Sequence, residues 1–280
     1  MLVSARGFEF RVHAAGPDAG PPVLLLHGFP QHSGQWHKVV PALHAAGLRT
    51  IAVDQRGYSP GARPVEIADY ALAEMTKDAF SIMDALGLGA CHVVGHDWGA
   101  AVAWSMAGTD PRRLLTLTTI SVPHLAAMAV AMADEQSDQR ERSAYMGFFA
   151  QLDEAVSALL ADDAQLLKSL FQGSGMTEAE VERYVAPMRD PDALRGGLSW
   201  YTAVLTQPRQ KYGPVTVPTT FIWSTEDVAL GPAAAHACGR FVTADYRYVE
   251  LEGVSHWVPD QDPGAVAAAI LDRVTRGVPA

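Results

Sequence analysis

Apolar residues in this chain fall into short runs separated by longer helical stretches, many of them closed by a glycine. Phe8 to Ala14 alternates apolar and polar positions, as a half-buried strand does. Pro22-Val23-Leu24-Leu25-Leu26-His27 is a continuous apolar run ending at Gly28, the pattern of a strand covered on both faces. Trp36 to Ala46 has helical spacing and stops at Gly47. Arg49 to Asp54 predicts a strand, and Tyr70 to Leu86 a helix ending at Gly87. Cys91 to His96 predicts another buried strand, Trp98 to Ala107 a helix, and Leu114 to Ser121 a strand. This alternation predicts a doubly wound α/β fold with a mostly parallel sheet.

The alternation breaks at about His124. From there to Tyr212 the pattern is almost all helical, with Thr177-Glu178-Ala179-Glu180 as a capping box. The strand signal returns at Pro218 to Trp223. A helix near Pro232 to Cys238, a strand near Tyr246 to Leu251 and a helix near Pro263 to Arg273 follow. The expected organisation is a core of residues 1–123 and 213–280 with a helical lid, 124–212, inserted between its halves. Insertions after strands sit over the carboxyl edge of the sheet, where ligands bind.

Of 280 residues, 49% are apolar and 19% charged, which excludes a disordered chain and suits one large domain with an insertion. The formal net charge of −10 argues against nucleic acid or an anionic membrane surface as partner. No apolar run approaches the roughly 20 residues of a membrane span. Met1 to Phe10 lacks the basic stretch and apolar run of a signal peptide. Cys91 and Cys238 are too few for a disulfide framework or a zinc site, so a cytoplasmic location is expected. A homodimer is left open.

Gly95-His96-Asp97-Trp98-Gly99 lies between a strand and a helix and has the form of a nucleophile elbow, with Asp where esterases have Ser. Alone, it fits equally an ordinary turn with a helix-capping Asp. Its surroundings favour chemistry. His27-Gly28-Phe29-Pro30 follows the first parallel strand, so the N–H groups of Phe29 and Trp98 could form an oxyanion hole. His256 follows a late strand, in the order nucleophile, acid, base. Ser224-Thr225-Glu226-Asp227 offers two acids, of which Asp227 has the better register.

With these motifs the sequence resembles the α/β-hydrolase fold enzymes that use an Asp nucleophile, and among them the epoxide hydrolases. The resemblance covers nearly the whole chain and includes Asp54-Gln55-Arg56-Gly57-Tyr58. Tyr145, in Ser143-Ala144-Tyr145-Met146-Gly147-Phe148-Phe149, and Tyr201, in Gly196-Gly197-Leu198-Ser199-Trp200-Tyr201, resemble the segments that carry that family's two lid tyrosines. Ser59, Ser224 and Thr202 stand where the family usually has Gly, Gly and Arg.

The resemblance implies a cofactor-free reaction on a small hydrophobic epoxide. An ionised Asp97 attacks a saturated carbon, Tyr145 and Tyr201 protonate the leaving oxygen, and His256, oriented by Asp227, activates water against the ester. Phe29, Trp98, Trp200 and Trp257 are the expected substrate contacts. No H-E-x-x-H, C-x-x-C or P-loop suggests a metal or organic cofactor. A haloalkane dehalogenase would use the same triad but needs N–H donors for halide. Trp98 and Trp200 could donate; the Phe29 side chain could not. A non-catalytic binding protein on the same fold is the alternative of another kind.

Overall fold

The computed structural model describes residues 1–208 and 213–277. Among them, eight strands form one sheet: β1 (Leu2–Ala5), β2 (Phe8–Ala15), β3 (Pro22–Leu26), β4 (Arg49–Val53), β5 (Cys91–His96), β6 (Leu114–Ile120), β7 (Thr219–Glu226) and β8 (Tyr246–Ser255). Their order is β1-β2-β4-β3-β5-β6-β7-β8. The first two neighbouring pairs are antiparallel and the rest parallel. The continuous apolar run of β3 is explained by its central position. Leu24 and Leu26 join a core with Phe10, Val93 and Trp104 on one face; Val23 and Leu25 join Trp36, Ile222 and Ile270 on the other. Cys91 and Cys238 are both buried and free.

Three elements differ from the sequence pattern. β1 was not anticipated, because four residues paired along one edge carry too short an alternation. The stretch from Trp36 divides into a 3-10 turn, Ser33–Lys38, and a helix, Val40–Ala45. Pro41 sits in the first turn of that helix and has no N–H to continue the preceding one. β8 runs past Leu251 because β7 pairs with it as far as Ser255.

Between β6 and β7 the described residues are mostly helical, and the two strands still pair in parallel, Leu117 opposite Thr219. The predicted end of this insertion, Tyr212, lies outside the described residues. Thr177 caps the helix Glu178–Met188 with Glu180 in the reciprocal arrangement its spacing predicted. No described helix is long and apolar enough to cross a membrane.

The last inserted helix, Pro191–Thr206, is seated on the loop after β4. Trp200 donates its indole N–H to the Arg56 carbonyl at 2.9 Å, and Arg63 bridges Asp190 at 2.7 Å. Arg56 is itself buried, forked onto Asp78 at 2.6 and 2.7 Å. Removing one partner of such a buried pair costs about 3–5 kcal/mol, so the loop is a firm base. Gly57 and Gly196 meet backbone to backbone: a Cβ on Gly196 would lie 2.7 Å from the Gly57 Cα and carbonyl oxygen.

That contact yields a test. Gly-to-Ala inside a helix ordinarily stabilises by roughly 0.5–1 kcal/mol. Overpacking against backbone that cannot swing aside costs about 1–3 kcal/mol, and should win here. Gly196→Ala is expected to lose stability in urea unfolding; a gain would mean that the helix does not sit on Gly57.

Candidate active site

β5 ends at His96, the helix Trp98–Thr109 starts one residue later, and Asp97 makes the turn at φ 52°, ψ −121°. Positive φ is uncommon for a residue with a side chain and is held only by its surroundings. Here the holding is tight. Gly95 and Gly99 pack against neighbouring backbone, and the Asp97 N–H donates to the Ile120 carbonyl of β6 at 3.2 Å. Asp97 makes no side-chain capping bond to its helix. Its Oδ1 instead accepts from the Phe29 N–H at 2.8 Å.

Phe29 reaches it because Gly28 has no side chain: a Cβ there would collide with the Asp97 carboxylate. The loop is fixed from behind. The Gly28 N–H donates to Gln35 at 3.2 Å, and His27 Nε2 accepts from the Gln55 N–H at 3.1 Å. Burial pushes His27 down to about 4, so it is neutral and acts as a strut.

His256 follows the last residue of β8. Its Nδ1 lies 2.9 Å from Asp227 Oδ2, and its Nε2 3.6 Å from Asp97 Oδ2. Asp227 is fully buried, and its Oδ1 accepts from the N–H groups of Ala229 and Leu230 at 2.9 and 3.0 Å. Of the two acids weighed from sequence, Asp227 is the one against His256; Glu226 is exposed.

Burial works against a charged His256, but the charge and hydrogen bond of Asp227, then those of Asp97, outweigh it and push its pKa up to about 10. Burial likewise opposes the Asp97 anion. The hydrogen bond and charge of His256, helped by the Trp98 N–H, leave Asp97 below its ordinary value. The resting site is therefore an imidazolium between two carboxylates.

Above them lie the two tyrosines. Tyr201 is buried, with ring centroids 5.1 Å from Trp98, 5.5 Å from Phe29 and 5.1 Å from Phe149. The Trp98 and Tyr145 rings flank it edge-on, with centroids 5.1 and 6.0 Å away. Tyr145 is 37% exposed as a residue, yet its hydroxyl is desolvated. Burial first raises both phenols; Asp97 comes next for Tyr145, and Tyr145 then Asp97 for Tyr201. Each stays protonated and can donate a proton.

The remaining expected contacts divide. Trp98 and Phe29 pack edge-on against Tyr201. Trp200 packs edge-on against Trp98 at 5.8 Å, but its N–H is used by the Arg56 carbonyl, which corrects the expectation that it could donate to a ligand. Trp257 lies edge-on to His256 at 5.2 Å and donates to the Leu170 carbonyl at 3.1 Å. With Leu170, Gly173, Glu226 and Val228, it walls a cleft of about 280 Å³ that touches His256.

Sequence reasoning assigned no individual role to three residues. Phe149 closes the aromatic wall between Phe29 and Tyr201. Tyr58 lies edge-on to His27 at 4.4 Å, and burial together with the Asp97 charge raises its phenol. His96, pushed down to about 4 by burial, is neutral, and its Nε2 bonds the His256 carbonyl at 2.9 Å. All three stand inside quoted motifs, but a motif does not say which way a ring points. Among the described residues, no group of three or more His, Cys, Asp or Glu is arranged to hold a metal ion.

Residues 21–263 match the α/β hydrolase fold family. An AB hydrolase superfamily protein, YfhM, of Bacillus subtilis is 32% identical over 97% of this chain and 96% of its own. Epoxide hydrolase A of Mycobacterium tuberculosis is 28% identical over 98% of this chain and 96% of its own. A solved structure described among novel epoxide hydrolases from metagenomes of hot environments superposes with a TM-score of 0.86 at 29% identity, covering 98% of this chain and 97% of that one. The chain belongs to the α/β-hydrolase fold family and is, within it, epoxide hydrolase-like.

Proposed function

We propose that this hydrolase opens an apolar epoxide to a vicinal diol through a covalent ester on Asp97. The observation that carries the reading is the meeting of two phenol rings, Tyr145 and Tyr201, with centroids 6.0 Å apart, beside the buried Asp97–His256–Asp227 set; the Asp97 charge raises both. Similarity to proteins named epoxide hydrolases supports it.

Asp97 Oδ1 is held by the Phe29 N–H, so Oδ2 is the attacking atom. As the Oδ2–carbon bond forms, the ring C–O bond breaks, and a tyrosine protonates the departing alkoxide. Ester formation removes one of the two anions that keep His256 charged. The proton His256 then releases balances the one the tyrosine gave. Neutral His256 takes a proton from water, and the hydroxide adds to the ester carbonyl carbon. The N–H groups of Phe29 and Trp98 stabilise the oxyanion; its collapse breaks the carbonyl carbon–oxygen bond to the diol, which takes the proton of the Asp97 carboxylic acid as it leaves.

The same geometry argues against a dehalogenase. The Trp200 N–H is bonded to a carbonyl and so is not free for halide, and the Trp98 ring is packed edge-on between Trp200 and Tyr201. A binding role alone gives no account of three ionisable groups buried together.

Three outcomes are expected. His256→Gln, treated with a mixed epoxide and haloalkane panel, should gain the full mass of an epoxide on the Asp97 peptide, whereas Asp97→Ala should gain none and turn nothing over. An alkyl adduct lacking halogen would point to dehalogenation. Tyr201→Phe should slow ester formation at least about tenfold, less than the about 10²–10⁴-fold of a lone general acid because Tyr145 remains.

Proton NMR should find His256 charged at neutral pH. Its folded pKa is raised from 6.5 to about 10, so the pairing stabilises fully below about pH 6.5 and is lost as pH rises through about 10. Asp227→Asn should flatten that loss. Titration of wild-type His256 near 6.5 would remove the resting ion pair.

A further inference from the structure

Tyr145 and Asp227 act in different steps and belong to different parts of the chain, yet one side chain ties their supports together. Gln139, six residues before Tyr145, is fully buried. Its Nε2 donates to Ser143 Oγ at 2.9 Å and to the Ala229 carbonyl at 2.8 Å, and its Oε1 accepts from the Gly231 N–H at 2.8 Å. Ala229 also donates its N–H to Asp227 Oδ1. On the same short helix, Gln139–Arg142, the Arg142 guanidinium donates to the Asp227 carbonyl at 2.5 Å and to Asp138 at 2.7 Å. The helix that starts at Tyr145 follows two residues later.

We propose that Gln139 is a positioning residue that fixes the Asp227 loop and the Tyr145 segment as one block, so that the ring-opening acid and the support of the base keep a common register over Asp97. The inference rests on the ester reading above. Three of the four hydrogen-bonding positions of the Gln139 amide are filled, one within its own segment and two on the 227–231 loop. An apolar replacement leaves the Gly231 N–H and the Ala229 carbonyl without their partner, so the loop has to move.

The block makes a prediction that a purely stabilising residue does not. A Gln139 variant should slow both ester formation, through Tyr145, and ester hydrolysis, through Asp227 and His256. Small misplacements at a reacting centre cost an order of magnitude or more. With Asp227 displaced, His256 is held less basic, so the acid limb of ester hydrolysis should move to lower pH.

The test is rapid-quench mass spectrometry of the wild type, Gln139→Leu and Arg142→Met with an epoxide identified as a substrate, following the Asp97 adduct as it forms and decays across pH. Gln139→Leu is expected to slow formation and decay each by about tenfold, with the decay limb shifted to lower pH. Arg142→Met removes the tie to the Asp227 carbonyl and an exposed pairing with Asp138 from a part-exposed side chain, so the fold should survive. It is expected to slow decay several-fold and leave formation unchanged. Should Gln139→Leu fail to fold, the Arg142→Met split decides. Unchanged decay in Arg142→Met overturns the proposal. So does loss of amplitude alone in Gln139→Leu, with rates and pH limb as in the wild type. The His256→Gln adduct is the separate control: if it never forms, the ester reading fails, whereas if it forms and these variants behave as wild type, only the block fails.

Discussion

Two carboxylates and an imidazole share one buried pocket at the carboxyl edge of the sheet, and the surrounding structure is organised to make that tolerable. An isolated buried anion is costly unless paired and hydrogen-bonded. Asp97 is met by the Phe29 N–H, and Asp227 by the N–H groups of Ala229 and Leu230. Both face the same imidazolium. The donors are main-chain groups on two loops, so the loops must be rigid. His27, Gln35, Gln55 and His96 supply that rigidity as neutral struts behind the charged set.

The inserted helices rest on this foundation at more than one point. Pro191–Thr206 is held by Trp200, Arg63 and the Gly57–Gly196 contact. Glu178–Met188 is held by Tyr184 on buried Asp260 at 2.9 Å, four residues beyond His256. Tyr201 is thus mounted on a helix tied to the loop after β4, and Tyr184 on one tied to the segment after His256. The roof over Asp97 is set by hydrogen bonds as well as by apolar packing.

Much of this was legible in the sequence, for different reasons in different places. The buried strands announced themselves because β3 and β5 are apolar on both faces. The elbow was legible because Gly95 and Gly99 are demanded by backbone clearance. Asp227 was separable from Glu226 by register. The short edge strand β1 was not legible, since its pairing partner, not its pattern, makes it a strand. Trp200 was misjudged as a free donor because helical spacing gives the side of a ring and not the direction of its N–H. His96 and Gln139 were invisible as struts, since each acts on a carbonyl far away in the chain, at His256 and Ala229.

The two cysteines acquire a meaning from the proposed chemistry. An epoxide is an electrophile that alkylates thiolates, and a protein that gathers epoxides exposes its own sulfurs to them. Cys91 and Cys238 are both buried, and burial pushes both thiols up to about 12, so almost no thiolate exists at neutral pH. On the proposed mechanism the nucleophile that meets the substrate is a carboxylate, whose ester water can undo, and not a sulfur, whose thioether it cannot. On this chain, self-inactivation by its own substrate has no open thiol among the described residues through which to begin.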